Sequence, residues 1–182
     1  MPLTVDESGS IAGISHIPSP NCDERPVGCA IELLVIHNIS LPPGEFGGPG
    51  IVDLFTGRLN PDVHPYYREI AELRVSTHFL IRRDGGIVQF VSCGKRAWHA
   101  GESCWRGCSR CNDFSLGVEL EGTDDQPFED AQYKRLAELT RALQAKYPII
   151  DIVGHSDIVP GRKTDPGPCF DWARYRELLE RP

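Results

Sequence analysis

The order of apolar and polar positions gives a sparse but readable set of elements. The run from Ile31 to Ile36, apolar but for Glu32, has the length and β-branched content of a buried strand, and it ends in His37-Asn38, a polar pair placed to line a cleft. Ser76–Ile81 and Ile87–Val91 flank Arg83-Asp84-Gly85-Gly86, whose Asp-Gly and Gly-Gly steps accept positive φ, so a hairpin is predicted there. From Leu116 to Glu121 the pattern alternates, with Leu116, Val118 and Leu120 on one face and Gly117, Glu119 and Glu121 on the other. A face that carries two carboxylates must look into water or into a site. Between Asp130 and Tyr147 the residues Tyr133, Leu136, Ala137, Thr140, Leu143 and Tyr147 recur at three and four positions, which predicts an amphipathic helix stopped by Pro148. Ile149–Val153 reads as a further short strand running into Gly154-His155, and Asp171–Glu180 as a second helix. The order strand, hairpin, strand, helix, strand, helix predicts an α/β fold with a mixed central β-sheet flanked by helices.

Two stretches carry no such pattern: a polar arm over residues 1–25, and a Pro- and Gly-rich region over residues 40–75. The second exceeds the roughly 15 residues usual for a structureless connection, and long loops of this kind serve as lids or binding walls. Taken with the length of 182 residues, the expectation is one domain spanning 1–182, with the arm and the loop-rich insertion attached to it. The formal net charge of -7 would repel a phosphate backbone or an anionic membrane, so neither nucleic acid nor membrane is an expected partner. No segment approaches the roughly 20 apolar residues of a membrane span, and the first residues lack a basic start, so the chain is expected in the cytoplasm. Seven cysteines, an odd number, suit free thiols in a reducing compartment. No apolar helix face suggests a dimer, so a monomer is expected.

Several residues could carry chemistry. His37, His155 and Asp165 each follow a predicted strand or lie in a nearby loop, and imidazole with carboxylate is a donor set for catalytic zinc. By spacing alone they could equally be hydrogen-bonded loop residues. Glu119, if buried without a partner, would have a raised pKa suited to a general base, or it lies on a solvated strand face. Lys163, two residues from Asp165, could stabilise an oxyanion or be a surface charge. Cys104, Cys108 and Cys111 have the spacing that holds a four-iron cluster in radical S-adenosylmethionine enzymes, but those resemble barrels longer than this chain. With Cys93 or His99 they could make a zinc knot; otherwise they are loop thiols. Ala97-Trp98-His99-Ala100-Gly101 offers an aromatic platform for a sugar or peptide, or a core tryptophan capping the hairpin. Arg74, Arg96, Arg106 and Arg110 could gather on one wall and receive carboxylates.

The strings LLVIHNISLPPGEFGG, HFLIRRDGGIVQFV, KRAWHAG, RCNDFSLGVELEGTD and VGHSDIVPGRKTDPGPCFDW resemble the AmpD-type amidases, which cut 1,6-anhydro-N-acetylmuramyl-L-alanine in cytoplasmic peptidoglycan recycling. The likeness runs in order from about Pro18 to Trp172. It implies the fold of bacteriophage lysozyme-type amidases and peptidoglycan recognition proteins, and one zinc ion on His37, His155 and Asp165. It further implies that Glu119 orients or deprotonates the attacking water and that Lys163 stabilises the oxyanion. Arg74, Trp98 and Arg110 match positions lining the pocket for a small muropeptide, with Asn38 and His99 as further wall residues. The alternatives are a broader amidase acting on intact wall and a muropeptide-binding protein that does not cut. The cysteine triplet and Cys169 depart from the family pattern and touch none of these roles.

Overall fold

In the computed structural model, which describes residues 2–181, the polar arm contributes two short strands, β1 (Ser15–His16) and β2 (Cys22–Glu24). The chain continues through β3 (Leu33–Ile39), α1 (Gly50–Phe55), α2 (Pro65–Ile70), β4 (Phe79–Ile81), β5 (Ile87–Gln89) and β6 (Lys95–Ala97). It then runs through β7 (Cys104–Trp105), β8 (Cys108–Ser109), β9 (Ser115–Glu121), α3 (Asp130–Lys146), β10 (Asp151–Gly154), α4 (His155–Ile158) and α5 (Trp172–Glu180). Six strands form the main sheet in the order β1-β5-β4-β9-β3-β10, with β4–β5 its antiparallel pair and the other neighbours parallel. This is the expected mixed sheet flanked by helices.

The strand period sorts side chains between its two faces. Leu34 and Ile36 of β3, with Leu116, Val118 and Leu120 of β9, pack under Tyr133, Leu136 and Leu143 of α3 and Tyr175 of α5. Leu33 and Val35 point the other way, against Ala100, Cys111, Val153 and Ile158. His37 continues that second row, and the parallel register sets it opposite Glu119. The polar row of β9 is thus turned away from bulk water: Glu119, 8% exposed, borders a cleft, and Glu121, 1% exposed, is bonded to Arg82. Gln132 ties α3 to the sheet, donating to the carbonyls of Ile81 at 3.2 Å and Glu121 at 3.0 Å.

Three expectations are corrected. The 40–75 region holds α1 and α2, each of six residues and too short for a helical period to be visible. Pro65 opens α2, and the His64 ring accepts from the Tyr66 amide at 3.1 Å. The hairpin turns as predicted, with Gly85 at φ 85° and the Arg82 amide donating to the Gly86 carbonyl at 2.8 Å, but its paired strands span three residues each. The strand predicted at Ile149 starts at Asp151, because Ile149 still folds back on Tyr147 and Ile150 is 69% exposed. The arm is fastened by Arg25, whose guanidinium donates to the carbonyls of Cys93, Asn112, Asp113 and Ser115 at 2.9–3.2 Å.

Candidate active site

Three neighbouring strands deliver the site. His37 lies in β3, Glu119 beside it in β9, and His155 opens α4 at the end of β10, the strand on the other side of β3. Asp165 arrives on the following loop, held where its carbonyl accepts from the Ser156 amide at 3.0 Å. Gly154 makes this possible: a Cβ there would come 2.8 Å from Pro166 Cδ, so a larger residue would push the loop away. His37 Nδ1 stands 3.0 Å from Asp165 Oδ2, and His155 Nδ1 stands 3.1 Å from both carboxylate oxygens. The far nitrogens are also engaged, His37 Nε2 with His99 Nδ1 at 3.0 Å and His155 Nε2 with the Ala100 carbonyl at 3.4 Å.

Burial sets the protonation states. It pushes His37 down to about 4, against the opposing pull of the Asp165 carboxylate. His99 falls well below its usual value through burial and the neighbouring His37, His78 and His155 rings. Burial raises Asp165, but the contacts with His155 and His37 outweigh it and hold the group below the usual carboxylate range. Glu119 goes the other way, raised well above the ordinary carboxyl value by burial and then by the Asp165 charge. Its Oε1 is 3.9 Å from His37 Nδ1, and its buried Oε2 has no hydrogen-bond partner.

This arrangement fits zinc. Neutral imidazoles and an ionised carboxylate are the required donor forms. Two donors each about 2.1 Å from a tetrahedral ion stand roughly 3.4 Å apart, close to the 3.0–3.1 Å separations of Asp165 from the two rings. His37, His155 and Asp165 offer donor atoms that all lie within 4.8 Å of one another, the one such group of three or more among the described residues. Glu119, with one unpartnered oxygen, lies beside His37 of this group.

Above these side chains lies a cavity of about 570 Å³ bordered by Asn38, Ser40, Phe55, Tyr66, Leu73 and Asp124, among others. A second cavity of about 230 Å³ is bordered by Arg74, Gly101, Asn112 and Arg162. Val75, Trp98, His99, His155, Arg162 and Lys163 border both, so they form the ridge between two lobes. Trp98 is fixed there by Asp23 of the arm, which accepts from Nε1 at 3.2 Å. Asn38 is occupied in holding the wall, donating to Asp124 Oδ1 at 2.7 Å and the Pro166 carbonyl at 3.0 Å. Lys163 is exposed on the rim.

The four arginines expected on one wall do not gather there. Arg74 borders the smaller lobe, whereas Arg96 is bound by Asp23 and Asp113, Arg106 by Asp151, and Arg110 stands 3.3 Å from Asp113 and borders neither cavity. Carboxylates nearby in the fold have taken these guanidinium groups. Sequence reading missed Asp23, Tyr66, Leu73, Asp124 and Arg162. Arg162 is beside Lys163 in the sequence and could have been found; Asp23 and Asp124 act through contacts distant in the chain, and Tyr66 and Leu73 lie in the region without pattern. The cysteine triplet does not converge. The β7–β8 register pairs Cys104 with Ser109 and Trp105 with Cys108, so Cys104 and Cys108 point to opposite faces, and Cys111 is buried. All seven thiols are free.

The sequence matches the N-acetylmuramoyl-L-alanine amidase family over residues 28–168. The 1,6-anhydro-N-acetylmuramyl-L-alanine amidase AmpD of Escherichia coli K12 is 59% identical over 177 residues, 96% of this chain and 97% of that protein. The crystal structure of a selenomethionine AmpD derivative matches with a TM-score of 0.93 at 58% identity, over 95% of this chain and 98% of the other. The amidase AmiD from E. coli, in complex with the substrate anhydro-N-acetylmuramic acid-L-Ala-D-γ-Glu-L-Lys, matches with a TM-score of 0.60 at 28% identity, over 97% of this chain and 65% of the other. No helix among the described residues is long and apolar enough to cross a membrane. Identity at this level over nearly the whole length, together with a fold that brings the two histidines, the aspartate and Glu119 to one cleft, makes this chain a member of the N-acetylmuramoyl-L-alanine amidase family, of the AmpD type.

Proposed function

We propose that this chain hydrolyses the amide bond between the lactyl group of 1,6-anhydro-N-acetylmuramic acid and the L-alanine of its stem peptide, using one zinc ion held by His37, His155 and Asp165. The observation that carries this reading is the buried, unpartnered Glu119 oxygen beside that donor set at the floor of a cleft. When bound, zinc supplies Lewis acidity to the scissile carbonyl and acidifies the attacking water. Glu119 takes the water proton at Oε2 as the oxygen bonds the carbonyl carbon, and its raised pKa lets it return that proton to the alanine nitrogen as the C–N bond breaks. The products are the free lactyl carboxylate and the free amine of the stem peptide. The Lys163 ammonium, on the rim of both lobes, meets the negative charge that develops on the carbonyl oxygen.

The two lobes suit the two halves of such a substrate. Trp98 offers a ring face at the ridge. Arg74 in the smaller lobe and Arg162 on the ridge supply positive charge, where stem-peptide carboxylates need compensation against a net charge of -7. The test is a mass-resolved assay on anhydro-N-acetylmuramyl-tripeptide, run on the protein as purified, after chelation, and after zinc is restored. Free tripeptide is expected, absent after chelation and recovered with zinc. Folded, zinc-loaded protein that releases none would leave a muropeptide-binding protein in place of an amidase.

A further inference from the structure

His99 was expected on the wall as a substrate contact, yet both of its ring nitrogens are used inside the protein. Nδ1 is 3.0 Å from His37 Nε2 and Nε2 is 3.2 Å from Ser115 Oγ. The ring is pressed onto β9, where a Cβ on Gly117 would come 2.6 Å from His99 Cγ. Its backbone is held as well, the amides of His99 and Ala100 donating to Asn112 Oδ1 at 3.2 and 2.8 Å. A side chain so committed has no polar atom left for a ligand.

A neutral imidazole carries one donor and one acceptor nitrogen, so the row Ser115–His99–His37 has two consistent proton arrangements. In one, His99 Nδ1–H donates to His37 Nε2; His37 must then carry its proton on Nδ1, where it donates to Asp165 and blocks ligation. In the other, His37 Nε2–H donates to His99 Nδ1, and His99 Nε2–H donates to Ser115 Oγ. His37 Nδ1 is then a free lone pair facing Asp165 and His155. The two arrangements contain the same number of protons. The serine hydroxyl allows both, because it can either accept from His99 or donate to it.

We propose that His99, backed by Ser115, is a positioning residue that accepts a hydrogen bond from His37 Nε2–H and so holds His37 in the tautomer whose Nδ1 binds the metal. The inference rests on the zinc reading above and extends it to side chains that touch neither the metal nor the substrate. Partners of this kind on metal-bound histidines change metal affinity by about 10–100-fold when removed.

The experiment measures zinc affinity by competition with a chromophoric chelator for the wild-type chain, His99→Phe, His99→Asn and Ser115→Ala, together with kcat and KM for the muropeptide at saturating zinc. His99→Phe is expected to weaken zinc binding by about 10–100-fold. His99→Asn, which keeps an acceptor near the Nδ1 position, should recover much of that loss, and Ser115→Ala should lose less than His99→Phe. Nitrogen-15 spectra of the zinc-loaded wild-type protein should show the His99 proton on Nε2, a readout that does not depend on any variant folding. A His99 proton on Nδ1, or unchanged zinc affinity in His99→Phe with only a raised KM, overturns the proposal and returns His99 to the wall. Failure of the wild-type chain itself to bind zinc would sink the zinc reading, and this inference with it.

Discussion

The floor and the wall of the cleft are built in opposite ways. On the floor, His37, Glu119 and His155 come from three adjacent strands or their ends and lie buried, and both histidines engage neighbours through both ring nitrogens. The wall over residues 40–75 rests on apolar packing by Ile51, Leu54 and Phe55, while Tyr66 and Leu73 stand exposed at the cleft. Its front edge is tied to the sheet through Glu121, which accepts from the Gly47 amide at 2.7 Å and from Arg82 at 2.9 Å, and through the Gly48 carbonyl, which accepts from Arg82 at 3.1 Å. Groups that must stay within a fraction of an ångström are carried by hydrogen-bonded strands, and groups that meet a variable ligand are carried by loops.

The sharpest way to break this division is at the floor. Glu119→Gln should keep zinc affinity within a few-fold of wild type and lower kcat by about 10²–10⁴, since it deletes the proton acceptor and leaves the donor set intact. Chelator competition and steady-state kinetics on the same preparation check it, and near-normal turnover would mean that the unpartnered oxygen is not the base. Glu121→Ala attacks the junction instead. It removes the acceptor of the half-buried Arg82 guanidinium and of the Gly47 amide, a change that typically costs about 1–3 kcal/mol, or several °C in Tm for a chain of this size. Thermal melts should show that loss with zinc affinity preserved, because Glu121 has no contact with the ligands. Lys163→Ala lies between floor and wall. Removing one oxyanion donor lowers kcat by about 10²–10³ in other hydrolases, and an exposed ammonium should fall at the lower end of that range. A change in KM alone would assign Lys163 to binding.

The same division decides what was legible in the sequence. His37 after an apolar run and Glu119 in an alternating strand were readable as positions, since strand period and burial follow from composition. That the two stand side by side was not readable, because parallel pairing of β3 with β9 joins residues far apart in the chain. The role of His155 and Asp165 came from the family resemblance, and the distances among the three agree with it. The wall hid its helices, which are six residues long and start beside prolines. The arm hid its purpose for a different reason: Asp23 looks like any surface acid until β2 pairs with β6 and brings it to Trp98. Arg96 and Arg106 could not be placed from the sequence because a guanidinium's partner is chosen in three dimensions.

The smallest expected effect probes the wall alone. Tyr66 and Leu73 leave apolar surface exposed at the mouth of the larger lobe, and such surface gains about 25 cal/mol per Å² when a ligand covers it. Covering some 40 Å² on each side chain would be worth about 1 kcal/mol apiece, roughly a fivefold change in affinity. Tyr66→Ala and Leu73→Ala should therefore each raise KM for the muropeptide by a few-fold while kcat and zinc affinity stay put, as expected of uniform binding that helps substrate and transition state alike. A drop in kcat in either variant would mean that the wall also sets the alignment of the scissile bond over Glu119, and the separation of recognition from chemistry would have to be redrawn at α2.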